Sequence, residues 1–511
     1  MPTSFFAFPA QLDGLAACVR YAAARSRPAM ESCPQRRNPL LCVRISADNE
    51  RMRSLCCSVI AGLGIALSAC NNPMLLVDVE IDFLPMGTTQ LLVVTTVNGQ
   101  PGREQHLSPD QRRIAIHLPQ GASGPVGVRV YGMDAGECIL TEGSLEAEVP
   151  TSFNRTDQYS IQMARPIDTK KCSFTAQDLG FPQPAPGLAS VWGSDVNNVY
   201  VVGGGTGVTA DVVRRCPADG STCMPLSLPP PGVENRSNTV VWGNDAKHVF
   251  VGSAAGRVVH CGAGLNDCTL MPPDIPHTID IRSIWGADEE NVYVVGNSEL
   301  IQRCQASTNR CTRLKGGAIQ EAVWGSSSEY IYAVGAQNNI GFIARCRGSS
   351  QTCGPLQFVP GPGLKTVWGR DAEHVYVAGN GGTLLRCTAA NDVCTSINSG
   401  TTANLSRIWG DSGDQFFIAG DNAILRCQVS NDSCVSLTLG LTKSFHAVWG
   451  SDANNVYAVG DGGSIVRCSA DSNTCTPLTT GVTTALRGVF GTDSNNIYVV
   501  GDYGTILRRR L

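Results

Sequence analysis

AVWGSDANNVYAVGDGGSIVRCSADSNTCTPLTTG, residues 447–481, is one copy of a unit that recurs eight times between Leu188 and Leu511. Its Trp-Gly pair returns at Trp192, Trp242, Trp285, Trp324, Trp368, Trp409 and Trp449, with Phe490 in the eighth place. Every Trp of the chain lies in this series. A period of about 40 residues that holds several short strands is the pattern of an all-β propeller. Each unit divides into four strands. Strand a ends at Val-Trp-Gly, strand b reads Val-Tyr-Ala-Val-Gly, strand c reads Ser-Ile-Val-Arg-Cys, and strand d is expected to start after the second Cys.

Working outward, composition agrees. The 511 residues include 55 Gly and 28 Pro, and only 16% are charged. Such a chain suits short strands joined by tight turns. The formal charge is −4, and no basic run exceeds Arg508–Arg510. Nucleic acid binding needs a basic face to meet phosphate, so it is excluded as a reading.

Fourteen of the 22 Cys form seven pairs with six residues between partners: Cys216/Cys223, Cys261/Cys268, Cys304/Cys311, Cys346/Cys353, Cys387/Cys394, Cys427/Cys434 and Cys468/Cys475. Zinc sites prefer two to four intervening residues and two such pairs together. Disulfides are therefore expected, and with them an oxidising compartment.

Residues 52–70, MRSLCCSVIAGLGIALSAC, open with the positive Met52-Arg53 and continue into an apolar core over Leu55–Ala66. That core is too short to span a bilayer as a mature helix. Leu67-Ser68-Ala69-Cys70 resembles the lipobox of bacterial lipoproteins. The resemblance implies cleavage before Cys70, diacylglycerol on its thiol, and a tether over 70–73. A plain secretory leader over 52–69 is the alternative. Residues 1–51 then have no place in the exported protein. Either the start lies at Met52 or 1–51 is a cytoplasmic pre-segment. Five Cys precede Cys70, and beyond it the repeat pairs leave only Cys138 and Cys172 for each other. An even count suits an exported protein.

From Met74 to about Pro166, short alternating runs such as Leu75–Phe83, Gln90–Val97, Arg113–Leu118, Val126–Tyr131 and Tyr159–Met163 are separated by turn signals. This length and pattern suggest an immunoglobulin-like β-sandwich over 74–166. The propeller is expected over 172–511. Its eighth unit stops after strand c, with Arg509 in the Cys position. The missing strand d is expected from Cys172-Ser-Phe-Thr-Ala. Cys172 would take the place of the second Cys, and its bridge to Cys138 would tie the sandwich to the ring closure. Eight blades are expected, with seven blades and a stray unit as the alternative.

Loop lengths carry the functional expectation. From each Trp (or Phe490) to the aromatic of strand b is eight residues in all units, but Gly203 to Cys216 is 13 and Gly335 to Cys346 is 11, against seven or eight elsewhere. The d–a connection also varies, and is long around Pro229–Pro231. In a meander the b–c and d–a loops share one face, so the variation is confined to that face. Loops on a rigid scaffold concentrate binding residues. Thr206, Asp211, Glu234, Arg236, Gln337 and Asn338 are the candidate binding residues, and neutral insertion is the alternative. The Trp series reads as blade-to-blade core rather than a sugar platform. Asp195, Asp245, Asp288, Asp371, Asp452 and Asp493 read as turn caps. No catalytic constellation, metal site or cofactor motif is expected.

The unit VWGSDANNVYAVGDGGSIVRC resembles a tandem-repeat family of secreted proteins and lipoproteins of large-genome Gram-negative bacteria, with the pattern (V/I)WG-x-(S/D)-x-(N/D)-(D/N)-V-(Y/W)-A-V-G-x-x-G-T-I-(L/V). Ser327 and Asp411-Ser412-Gly413 depart from it. More loosely the units look like photosystem assembly-factor and sialidase-type propellers, without the latter's Ser-x-Asp-x-Gly-x-Thr-Trp box. The resemblance implies a fold and a cell-surface role rather than a reaction. Asn71 after the lipid Cys implies the outer membrane in the lipoproteins resembled. Three functions follow as expectations: a non-enzymatic lipoprotein that binds a protein or glycan partner through the variable face, a scaffold or assembly factor for an envelope complex, and a polysaccharide hydrolase or lyase.

Overall fold

The computed structural model describes residues 74–509, apart from 81–83, 86, 99, 111–112, 118–122, 149–157, 164–170, 173, 178–180, 182–184, 206–210, 219–221, 230–236, 255, 273–279, 298–299, 315–318, 339 and 362. The leader expected over 52–69 and the lipobox-like stretch with Cys70 lie outside the described residues.

The repeat folds as eight antiparallel sheets in meander order a-b-c-d, seven of four strands and one of five. This is an eight-bladed β-propeller. The fifth strand, Thr438–Leu439, pairs in parallel with Thr474–Cys475 on the outer edge of blade seven. Adding it covers backbone that an edge strand would leave unpaired.

Strand b is buried along its length in every blade, as in Val375–Gly379, because it is flanked by neighbours on both faces. Its valines and Tyr supply branched and aromatic surface to both adjoining blades. The Trp-Gly pair explains itself in the packing. The Trp ring of each of blades one to seven lies over the glycine that follows the Trp or Phe of the next blade. A Cβ on Gly369 would stand 2.5 Å from the Trp324 ring. Phe490 closes the series between Trp449 and Trp192, at ring distances of 6.0 and 6.4 Å. The Trp series is thus blade-to-blade core.

The turn after strand a is held as expected. Asp371 Oδ1 accepts the Glu373 N–H at 2.9 Å, and Asp452 Oδ1 accepts that of Asn454 at 2.8 Å. Where Ser327 replaces Asp, its hydroxyl accepts the Glu329 N–H at 3.2 Å.

All seven Cys-x6-Cys pairs are disulfides: Cys216–Cys223, Cys261–Cys268, Cys304–Cys311, Cys346–Cys353, Cys387–Cys394, Cys427–Cys434 and Cys468–Cys475. Their Cα–Cα distances are 3.9 to 4.1 Å. The expectation that strand d starts after the second Cys holds for Cys223, which precedes the short strand Met224–Pro225. It is corrected in blades two to seven. Cys268 opens its strand, Cys268–Met271. Cys311, Cys353, Cys394, Cys434 and Cys475 are each the second residue of theirs. In those six blades the two partners face each other inside the c–d ladder, as Cys261 faces Cys268 and Cys427 faces Cys434. In an antiparallel ladder, directly opposed residues bring their Cβ atoms within bridging reach, so the bond forms within the strands and not beyond them.

Blade eight closes with a strand from each end of the sequence. Its strands a to c are Leu486–Asp493, Asn496–Gly501 and Ile506–Arg509, and its strand d is Phe174–Ala176. A second correction follows from the register. Arg509 lies opposite Phe174, so Phe174 and not Cys172 holds the place of the second Cys. Arg509 cannot bridge, and the position is filled instead by an aromatic ring packed edge-on against Tyr457 at 5.9 Å.

The preceding domain has two sheets. β1 (Met74–Glu80), β2 (Gln90–Val97), β3 (Gln100–Leu107), β4 (Arg113–His117), β5 (Pro125–Met133), β6 (Cys138–Glu148), β7 (Gln158–Gln162) and β8 (Lys171–Cys172) form the orders β4-β1-β7 and β3-β2-β5-β6-β8. β1 and β7 run parallel. Cys138 is disulfide-bonded, and the residue opposite it in the β6–β8 register is Cys172. Leu76–Ile116, Ser123–Val149 and Asp157–Leu511 form one compact unit.

Both faces of the five-stranded sheet are covered. Leu91, Val93, Val128 and Val130 are buried on one, and Leu92, Val94, Tyr131 and Met133 on the other. Glu104 and His106 share the second face, opposite Val94 and Leu92. There they meet the propeller. Buried Arg509 donates to Glu104 Oε1 at 3.3 Å and to the Ser494 carbonyl, and its guanidinium lies 3.8 Å from Glu137 Oε2. Arg467 donates to Glu137 Oε1 at 3.0 Å and faces His106 Nδ1 at 3.1 Å. Two guanidinium groups thus face two carboxylates, as burial of charge requires. Burial alone would raise Glu137, but Arg467 and Arg509 outweigh it and hold its carboxyl below the usual range. Burial wins at Glu104, which is raised despite Arg509. Burial, with Arg467 beside it, pushes His106 down to about 3.

Candidate functional site

The register fixes which end of each blade is which. Strand a starts, and strand b ends, at the face shared by the b–c and d–a connections. In blade five, Leu364 pairs with Gly379 at that end, and Asp371 with His374 at the other. The constant a–b and c–d turns therefore lie on one face and the variable connections on the opposite one.

Of the six candidate residues, Thr206, Glu234 and Arg236 lie outside the described residues. Asp211 is described, and it is bound into the scaffold. Its Oδ2 lies 3.1 Å from Nη1 of Arg257, whose side chain is buried. Arg257 also donates to the Pro229 carbonyl. It stands where blades five, seven and eight carry Thr383, Ser464 and Thr505 just before strand c. One guanidinium thus ties the b–c connection of blade one to the d–a connection ahead of blade two.

Gln337 and Asn338 sit at the tip of blade four. The extra residues there lengthen the strands and do not form an open loop. Strands b and c, Tyr330–Gln337 and Ile340–Arg347, stay paired up to Gln337–Ile340. Asn338 turns the chain at φ 52°, a left-handed value that Asn tolerates better than most residues. Strand d extends with them to Val359, leaving Ile340 at 43% and Phe358 at 52% exposure.

The structure also assembles side chains that loop counting missed. Strand a carries a β-bulge between the fourth and second residues before the Trp or Phe, as between Leu364 and Thr366. Bulges re-aim side chains. The residue between, third before the aromatic, stands at the variable-face mouth of the central channel. Reading from blade one, that position holds Ala189, Thr239, Arg282, Glu321, Lys365, Ser406, His446 and Arg487. Ion pairs follow the ring, across blades at Glu321 and within blades seven and eight. Glu321 lies 2.5 Å from Arg282 and 3.2 Å from Lys365. His446 meets Asp461 at 2.7 Å, and Arg487 meets Asp502 at 2.7 Å.

Burial alone would raise Glu321, but the two cations outweigh it and keep the carboxyl low. The Arg487 hydrogen bond likewise holds Asp502 low. Arg407, one position further along strand a, joins this lining. It stands where other blades have Ser190, Val240, Ser283, Ala322, Thr366, Ala447 and Gly488. The sequence did hold a signal. Within strand a, the positions three and two before the aromatic change chemistry from blade to blade, while the Val or Ile, the aromatic and the Gly that follow do not.

No family model and no curated protein matches this chain. Among solved structures it is similar to the C-terminal WD40 domain of Sif2 at 11% identity and a TM-score of 0.50, covering 65% of this chain and 98% of that one. It is similar to the computationally designed Ika8 protein at 13% identity and 0.48, with 65% and 98% covered. It is also similar to YCF48 bound to D1 peptide, at 10% identity and 0.43, with 68% and 98% covered. At such identities the likeness concerns the fold. The chain is an eight-bladed β-propeller with disulfide-clasped blades, closed by the strand Phe174–Ala176 that follows a two-sheet domain. Its disulfides place it in an oxidising environment.

Proposed function

We propose that this protein is a non-enzymatic binding module of the bacterial cell envelope. It holds a protein or glycan partner on the face that carries the b–c and d–a connections, and it is anchored through lipid on Cys70 to the outer membrane. The observation that carries this reading is the segregation of variety. The aromatic spacing, turn caps and clasps repeat around the ring, whereas the long connections and the changing channel-mouth residues share one face. A rigid scaffold presenting one diverse face suits recognition. The Arg257 ion pair turns Asp211 toward holding loops together, which weakens the hydrolase or lyase alternative.

Crosslinked affinity capture from envelopes tests the reading with two baits, the exported protein and a variant whose 204–211 and 337–340 segments are trimmed to the common repeat length. A stoichiometric partner taken by the first and lost by the second supports it. Equal capture moves the binding surface to the two-sheet domain or the constant face. Growth in labelled palmitate, with Cys70→Ser as control, tests the anchor: label that persists in the variant removes it.

A further inference from the structure

We propose that the variable-face mouth of the channel is a site for a doubly charged oxyanion, a dicarboxylate or a phosphate, with Arg407 as its principal contact. The inference rests on the variable face being the working surface and adds the chemistry of its centre.

Arg407 breaks the repeat where a break is informative. At the equivalent position Ser190, Ser283 and Thr366 use their hydroxyls to accept the N–H of Val241, Val323 and Ile408 in the next blade, at 3.4, 3.3 and 3.3 Å. An Arg accepts nothing, so blade six forgoes that cross-blade bond with its own side chain. In exchange it carries a solvent-accessible guanidinium inside a channel. Among the described residues, the hydrogen bond this guanidinium makes is to the Ser406 carbonyl at 3.3 Å, and no carboxylate pairs with it.

Enclosure by the channel wall lowers its pKa, and Glu321, from a strand two blades away, acts on it weakly in the other direction. That carboxylate is already shared by Arg282 and Lys365. At the two lining positions of strand a, the arc from blade three to blade six therefore holds Arg282, Lys365 and Arg407 with Glu321. His446 and Arg487, on the remaining arc, have Asp461 and Asp502. On the rim, Asp421 accepts from Asn404. Asp280, on the blade-three rim, likewise accepts from Asn297, and Arg407 thus sits in a narrow opening as a guanidinium with no carboxylate paired to it among the described residues. A low-dielectric wall focuses the field of such a charge. The planar fork of Arg matches carboxylate and phosphate in bidentate fashion, and Lys365, on strand a of the adjoining blade, is the nearest lining cation in chain order to take the second charge.

The test uses purified, disulfide-bonded protein and Arg407→Ser, which restores the residue type of blades one and three. Calorimetric titration with succinate, with inorganic phosphate and with chloride reads the site. The expected result is binding of succinate or phosphate but not chloride, weakened at least about tenfold in R407S, while its thermal midpoint is unchanged or higher. Succinate preferred over phosphate assigns a dicarboxylate, and the reverse assigns a phosphate. Absence of binding, or equal binding by R407S, overturns the proposal. If R407S loses the oxyanion yet the capture experiment is unaffected, the oxyanion site stands apart from the partner surface. If neither protein binds oxyanion but trimming still abolishes capture, the variable face stands and this inference falls.

Discussion

At the scale of residues, the fold depends on what a glycine omits and on where charges are buried. Gly369 lies beneath Trp324, and a Cβ there would stand 2.5 Å from the ring. Gly369→Ala is expected to cost about 1–3 kcal/mol, as other overpacked cores do, read from urea midpoints. The same substitution at Gly354, where a Cβ would meet nothing within 4 Å, is the control.

His106 gives the molecule an acid sensitivity. Its folded pKa is about 3 against an ordinary 6.5, so between those values the unfolded chain takes up a proton that the folded one refuses. Stability therefore falls as pH drops from about 6.5 toward 3, by up to about 1.4 kcal/mol per pH unit from this group. Glu104, raised by burial, works in the opposite direction and is common to wild type and variant. His106→Asn should therefore melt with a flatter pH profile below pH 6.5. An identical profile would remove His106 from the explanation. The Trp-Gly spacing made the core legible in the sequence. The charged cluster was not legible, because Glu104 and Glu137 belong to no repeat and meet Arg509 only through the ring closure.

At the scale of elements, the c–d hairpin is the blade's weakest part and its most fastened. Five of its turns place an Asn, Asp or Gln two residues before the second Cys at positive φ: Asn309, Gln351, Asp392, Asp432 and Asn473. These turns also take a basic side chain from the preceding blade. Arg345 pairs with Asp392, and Arg386 with Asp432 at 2.8 Å. Elsewhere the acceptor is a turn carbonyl, as with Arg215 on Ala263 and Arg426 on Ala470. Blade eight has no such turn, and there Arg467 meets Glu137, which itself sits at φ 55° beside Cys138. The two-sheet domain thus stands in for the turn the eighth unit lacks.

Cys387→Ala with Cys394→Ala removes one clasp and should cost about 2.5 kcal/mol by the chain-entropy estimate for so short a loop. A shift confined to blade-five amides in hydrogen exchange would agree. A loss spread evenly over all blades would not. Spacing alone predicted the seven clasps. It misplaced the start of strand d at Cys268, Cys311, Cys353, Cys394, Cys434 and Cys475, and the role of Cys172. Register depends on which residues face each other and not on how many separate them.

At the scale of the whole molecule, the ring is held shut by elements far apart in sequence. Phe174–Ala176 pairs with Leu507–Arg509, and the Cys138 disulfide lies on the adjoining β6–β8 pair. Arg509→Met would leave Glu104 without its cation and should destabilise the protein by about 3–5 kcal/mol, the usual result of breaking a buried pair from one side. The double variant R509M/E104Q should recover part of that loss. Full additivity of the two in chemical denaturation would mean that the pair is not coupled. The ring and its closing strand were legible from the truncated eighth unit. The channel mouth was not, since it takes one residue from each blade and becomes a surface only when the ring closes.

Crosslinking mass spectrometry on the captured complex, with an amine-reactive reagent, reads the binding face directly. Lys365 lines the channel mouth and Lys443 lies in the d–a connection before blade seven, whereas Lys247 sits in the a–b turn of blade two on the opposite face. Partner crosslinks at Lys365 and Lys443, with Lys247 unmodified by the partner, are the expected result. Crosslinks concentrated at Lys247 and absent from Lys365 and Lys443 would place recognition on the constant face and contradict the assignment.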